Sequence, residues 1–260
     1  MDVVCLHAQQ EIEQVLRRNT FLYLYALGDL DDFFWRYTTW YALKGQQIEQ
    51  IVLLYSEPTM PVLLATAEEP SASLRALLQS MLHLLPRRFY AHLTQSAAEI
   101  IASEYRLQSC GIHYKMALLN TTPLTTIDTA CVVQLQVSDL PEVEAFYRVS
   151  YPGNWFDPRM LETGQYYGIR RNGQFVSIAG VHVYSAQYRV ATLGNVVTHP
   201  AARGQGLATL VCAKLCRELL HTVEHIGLNV KADNASAIAC YKRLGFEQIA
   251  TYEEFECELR

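Results

Sequence analysis

Residues 195–208 read Asn-Val-Val-Thr-His-Pro-Ala-Ala-Arg-Gly-Gln-Gly-Leu-Ala: a β-branched run that passes through a glycine-rich turn into an apolar-periodic stretch. The first amides of a helix lack internal partners and sit at the positive end of its dipole, so such a junction is suited to hold an anion. Gly204 and Gly206 carry no side chain to keep a phosphate away from those amides. Ala208 keeps the next position small, and Arg203 adds a cation at the mouth. Two other phosphate loops fail on specifics. A P-loop needs Gly-Lys followed by Ser or Thr, which is absent; a dinucleotide fingerprint needs a third glycine where Thr209 stands.

The elements that must position this turn follow from periodicity. Val133, Leu135 and Val137 alternate with Gln134 and Gln136, predicting a half-buried strand over 131–137. Ser138-Asp139-Leu140-Pro141-Glu142 then starts a helix whose apolar face holds Leu140, Val143, Phe146 and Tyr147. An aromatic loop, 151–159, leads through a short helix to a strand at 166–170. Asn172-Gly173 is a hairpin signal, and strands at 174–184 and 190–198 follow it. A helix over 205–221 buries Ala208, Val211, Cys212, Leu215 and Leu219. A strand at 226–230, a helix capped by Asp233 or Asn234 and ended by Gly245, and a final strand complete the order β-α-α-β-β-β-α-β-α-β. The first half reads in the same order, which leaves an internal duplication open. The expected class is α/β (α+β), a mixed, mostly antiparallel sheet flanked by helices. The Thr-rich stretch 120–130 marks the expected boundary between domains at 1–122 and 129–260.

Arg203-Gly204-Gln205-Gly206-Leu207-Ala208 resembles the R-x-x-G-x-A signature of the GNAT superfamily of acyl-CoA-dependent N-acyltransferases. The run from Asn234 through Ala237 and Tyr241 to Gly245-Phe246 is similar to that superfamily's later N-x-x-A-x-x-x-Y-x-x-x-G-F segment. Within the superfamily the chain looks most like the glycine N-acyltransferase-like branch, which carries an extra N-terminal domain. The resemblance implies an N-acetyltransferase with acetyl-CoA as co-substrate and no metal, acting on a small-molecule or peptide amine. It implies that the backbone of Val196, Val197 and Thr198 pairs with the pantetheine arm, an N–H of Val197 or Thr198 polarising the thioester carbonyl. Arg203, Gly204, Gln205, Gly206, Leu207 and Ala208 would hold the pyrophosphate, and Asn234 would contact the cofactor while also capping its helix. Tyr241 would protonate the departing thiolate, since a phenol of pKa about 10 keeps its proton at neutral pH.

Tyr151, Trp155, Phe156 and Asp157 fall in the region that lines the acceptor pocket of the superfamily, with Asp157 expected to meet the amine; packing between the halves is the competing reading. The general base stays open: 192–198 contains no carboxylate, and His182, His199, Asp157 or a water chain remain as options. The first half has no second cradle. Glu68 and Glu69 stand in the corresponding turn, where they would repel a pyrophosphate.

Composition sets outer bounds. A formal charge of -5 disfavours nucleic acid as a partner. No apolar run approaches a membrane span, and the N-terminus shows no secretory pattern. The seven cysteines include no C-x-x-C pair, and Cys212 and Cys216 stand one helical turn apart in an apolar stripe, so core packing is expected rather than metal binding. A reduced, cytoplasmic protein is expected, with a homodimer left open. The rival functional classes are a non-catalytic acyl-CoA-binding regulator and an acyltransferase for a longer acyl donor.

Overall fold

The computed structural model describes residues 1–56 and 60–260. In chain order the strands and helices are β1 (Asp2–Leu6), α1 (Gln9–Leu16), α2 (Leu24–Gly28), α3 (Asp32–Trp35), β2 (Thr38–Lys44), β3 (Ile48–Tyr55), β4 (Val62–Ala65), α4 (Ala72–Met81), β5 (Arg88–Leu93), α5 (Gln95–Ile101) and β6 (Tyr105–Leu118). There follow α6 (Thr122–Thr126), β7 (Val133–Gln134), α7 (Leu140–Ser150), β8 (Tyr167–Arg171), β9 (Gln174–Ser185), β10 (Val190–Thr198), α8 (Leu207–Leu219), β11 (His225–Lys231), α9 (Ala235–Arg243) and β12 (Phe246–Leu259). Two compact units result: Met1–Lys115 with Val230–Asp233 and Ile249–Arg260, and Met116–Asn229 with Asn234–Gln248. The Thr-rich stretch 120–130 falls within the second of these units. Residues 249–260 join the first unit because Glu253 to Glu258 pair antiparallel with Leu93 to Arg88 of β5.

In the first unit β1, β2, β3 and β4 pair antiparallel in sequence order, and β4 and β5 run parallel, joined by α4. Ser71 caps α4, its hydroxyl accepting the Leu74 amide at 3.2 Å. Leu74, Leu77, Leu78 and Met81 follow the helical repeat and pack on Leu54, Leu63, Phe89 and Ala91, one face of the sheet. The parallel pairing of β4 with β5 runs from Val62↔Tyr90 to Ala65↔Leu93, the last residue of both strands. In the following turn Glu69 accepts the Ser96 amide at 3.1 Å and its hydroxyl, and Glu68 accepts from Asn19. Both acids are thus engaged by residues distant in sequence, Asn19 and Ser96.

A polar cluster is also buried in this unit. Glu254 takes hydrogen bonds from Tyr90 and Tyr252 and lies 3.4 Å from His92 Nε2 and 3.5 Å from His113 Nε2. Burial opposes its ionisation, but the two histidines and two hydroxyls outweigh burial and hold its pKa below the ordinary value. Elsewhere in the unit burial alone pushes the Asp29 carboxyl up to about 8. Folded Asp29 thus keeps a proton that the unfolded chain has lost, so stability falls as pH rises from about 4 to about 8. The slope is about 1.4 kcal/mol per pH unit. Asp29→Asn should remove that slope. Denaturant midpoints of the two proteins should converge near pH 4 and separate in the variant's favour towards pH 8; parallel midpoints across that range would contradict the assignment.

In the second unit β7, β8, β9 and β10 pair antiparallel, and β10 runs parallel to β11, with α8 as the crossover. Val211, Cys212, Leu215, Cys216 and Leu219 of α8 are fully buried, as the apolar stripe requires. Burial drives both thiols well above the ordinary cysteine pKa. One expected strand shrinks. Over 131–137 only Val133 and Gln134 pair, and Val133 and Val137 are exposed while Leu135 is buried. The reason is local. Gln136 and Asp139 form a capping box around a 3-10 turn, Val137–Asp139, which ends the strand before its alternation is used.

Candidate functional site

The site forms where β10 leaves its neighbours. Val190 to Leu193 pair with His225 to Leu228, and the parallel ladder stops there. On the other edge β10 shifts register against β9 between Gly194 and Val197, then resumes at Val197↔Ile178 and Thr198↔Ser177. Asn195, in this bulge, has φ 54°, a left-handed conformation that Asn tolerates better than most residues. The strand containing Val196, Val197 and Thr198 therefore bends out of the parallel pair. Among the described residues no parallel partner from β11 follows Leu193.

Buried hydrogen bonds hold the bulge. Asn195 Nδ2 donates to Tyr166 Oη at 2.9 Å, and Tyr166 Oη donates to the Val181 carbonyl at 3.0 Å. The Tyr147 hydroxyl, on α7, donates to the Asn195 carbonyl at 3.0 Å. Asn154, from the aromatic loop, donates to Asn195 Oδ1 at 3.3 Å. Burial raises the pKa of both tyrosines, so both remain donors. Gly180 makes room for this arrangement, since a Cβ there would lie 2.1 Å from the Tyr166 ring. Asn195→Gly keeps the left-handed backbone and deletes the side-chain bonds. It should cost about 1–3 kcal/mol of stability. Unfolding curves read the loss; unchanged stability would show that the network does not hold the bulge.

Past Thr198 the chain turns at His199, whose Nδ1 accepts the Ala201 amide at 3.2 Å. Gly204 and Gly206 both have φ 76°, and a Cβ at either meets nothing within 4 Å. The glycines thus serve the backbone path, and the space above them is open. Gly206 caps α8, and the first intrahelical bond runs from the Leu210 amide to the Gly206 carbonyl, leaving the earlier amides of Leu207 and Ala208 at the helix start. Arg203 donates to the Thr198 carbonyl at 3.3 Å. Arg171, at the end of β8, donates to Gln205 Oε1 at 2.6 Å. This second cation at the turn was not visible in the sequence, where it lies far upstream of the motif.

The remaining expected residues fall into place unevenly. Asn234 caps α9, its Oδ1 accepting the Ala237 amide at 3.2 Å, and its side chain stays exposed. Tyr241 is buried on α9 with its ring edge-on to Phe246, 5.9 Å between centroids. Trp155 and Tyr151 are each 46% exposed, while Phe156 packs against Tyr147 and Tyr166. Trp155 lies over His182 with 5.8 Å between ring centroids. His182 in turn fills the space above Gly194, where a Cβ would lie 2.0 Å from its Cδ2. Asp157 does not point to open space. It caps the next turn through the Arg159 amide, and its carboxylate is held by the Arg159 guanidinium. Of the three base candidates, His182 is the one placed beside the bulge. Among the described residues no three His, Cys, Asp or Glu side chains group as a metal site would require.

Comparison with known proteins agrees with this geometry. Residues 131–246 match the family model described as Acetyltransferase (GNAT) family. The second unit has the GNAT acetyltransferase fold. Three solved structures illustrate the likeness. A Drosophila protein aligns over 98% of this chain and 97% of its own, with 14% identity and a TM-score of 0.72. A protein of Novosphingobium aromaticivorans described as a GNAT-family acetyltransferase aligns over 80% of this chain and 88% of its own, with 22% identity and a TM-score of 0.59. A tandem GNAT protein from the clavulanic acid biosynthesis pathway covers 98% of both chains, with 16% identity and a TM-score of 0.58. No curated protein matches the chain by sequence. Among the described residues no helix is long and apolar enough to cross a membrane.

Proposed function

We propose that the second unit transfers an acyl group from acetyl-CoA to a primary amine. The observation that carries this reading is the opening of the parallel β10–β11 pair after Leu193, beside a bulge and directly before the glycine turn of α8. Amides of a pantetheine arm fit the backbone of Val196, Val197 and Thr198 as an added strand would. A diphosphate fits the open space over Gly204 and Gly206, against the amides of α8 and the guanidinium groups of Arg203 and Arg171. An N–H of Val197 or Thr198 then polarises the thioester carbonyl, held in place by the network around Asn195. Tyr241 supplies a proton to the leaving thiolate, and His182 accepts the proton released by the amine.

The first unit is a degenerate copy without cofactor binding in this proposal. Its β4–β5 pair stays closed to the strand ends, and its turn holds carboxylates in place of glycines. A two-unit chain of this kind also supports the likeness to the glycine N-acyltransferase-like branch. Seven free thiols fit a reduced cytoplasmic setting. The test is thiol release on mixing the protein with acetyl-CoA and a panel of amines. Binding of acetyl-CoA without release on any acceptor would favour a non-catalytic binder, and failure to bind it would remove both readings.

A further inference from the structure

Among the described residues, β9, β10 and the loop 151–157, which flank the bulge, offer no uncommitted carboxylate. β9 and β10 contain no Asp or Glu. The loop 151–157 contains one, Asp157, whose Oδ1 accepts the Arg159 amide at 2.9 Å and Nε at 3.1 Å, and whose Oδ2 accepts Nε at 2.8 Å and the terminal guanidinium nitrogen. An alkylamine is protonated at neutral pH. At this wall it would shed water with no counter-charge from these elements, and it would have to lose a proton before its lone pair could attack. The loop and the end of α7 do offer exposed apolar side chains. Trp155 and Tyr151 are exposed, Val149 is 64% exposed on the adjoining turn of α7, and the Trp155 ring lies over His182 beside Gly194.

We propose that the acceptor is a weakly basic aromatic amine, with the amino group on the ring itself, bound against Trp155. This rests on the reading of the second unit as an acyl-CoA-dependent transferase. An aniline-type nitrogen is neutral at pH 7, so it needs neither a carboxylate to hold it nor a base before attack. Its ring buries apolar area on the Trp155 side chain. The nitrogen lone pair forms the bond to the thioester carbonyl carbon, and the C–S bond breaks with its electron pair on sulfur. The thiolate takes the Tyr241 proton, and the proton lost from nitrogen passes to His182 and through it to water, from which Tyr241 is reprotonated. Amine and thioester become amide and thiol.

The experiment follows thiol release at pH 7 from acetyl-CoA with p-anisidine and 5-aminoindole, against benzylamine and n-butylamine, using the full chain. The aromatic amines should exceed benzylamine in kcat/KM by about tenfold or more. Their rate should stay level between pH 6.5 and 8.5, while that of benzylamine climbs about tenfold per pH unit as the free amine appears. Trp155→Ala should raise KM for the aromatic amines about tenfold with kcat little changed. Faster turnover of the alkylamines at pH 7, or an equal loss for every acceptor in Trp155→Ala, would overturn the proposal. If acetyl-CoA binds but no amine of either class releases thiol, the transferase reading itself fails and this acceptor class falls with it.

Discussion

Tyr241→Phe is expected to lower kcat on the order of 100-fold while leaving the affinity for acetyl-CoA unchanged. The substitution removes one oxygen and keeps the ring, so the edge-on contact with Phe246 and the burial of this face of α9 survive. Without the phenol the departing sulfur must leave as an anion. Collapse back to the thioester then competes with product formation. Calorimetry for binding and single-turnover thiol release for chemistry separate the two steps. A variant that turns over like the parent would assign Tyr241 to packing alone.

Gly206→Glu is expected to weaken CoA binding about 100-fold or more. The new carboxylate enters open space at the start of α8, where two like charges a few ångströms apart repel by about 4 kcal/mol at an effective dielectric of 20. The left-handed backbone at this position adds about 1–2 kcal/mol of strain for any residue with a Cβ. Gly206→Asn is therefore the matched control, because Asn accepts φ near 76° and brings no charge. It should keep most of the affinity and fold normally. Equal affinity in all three proteins would refute the placement of the phosphate.

Local signals made much of this protein legible from its residues alone. The glycine turn, the helix it opens, the cap at Asn234 and the buried stripe through Cys212 and Cys216 depend on neighbours within a turn or two, so spacing suffices to find them. The same local physics misled at 131–137, where apolar alternation is cut short by a capping box around a three-residue 3-10 turn. Asp157 was open to a local reading as well: a residue before Pro158 and two before Arg159 is a helix cap and an ion-pair partner before it is a ligand for substrate.

Tertiary structure decided the rest. Asn195 meets Tyr166, Asn154 and Tyr147 across 29, 41 and 48 residues, and Arg171 meets Gln205 across 34. Such pairs depend on sheet register, in which a slip of one residue turns every side chain to the other face. The register shift between Gly194 and Val197 is itself invisible in composition, yet it precedes a segment, Val197 and Thr198, that pairs with β9 and has left β11. The point where two parallel strands part was likewise beyond the sequence, because residues 190–193 and 194–198 read as one uninterrupted strand. The chain's residues alone pointed to the glycine turn at Arg203 to Ala208 and the helix it opens. Only packing decided that a bent strand lies beside it, because that bend is held by side chains distant in sequence.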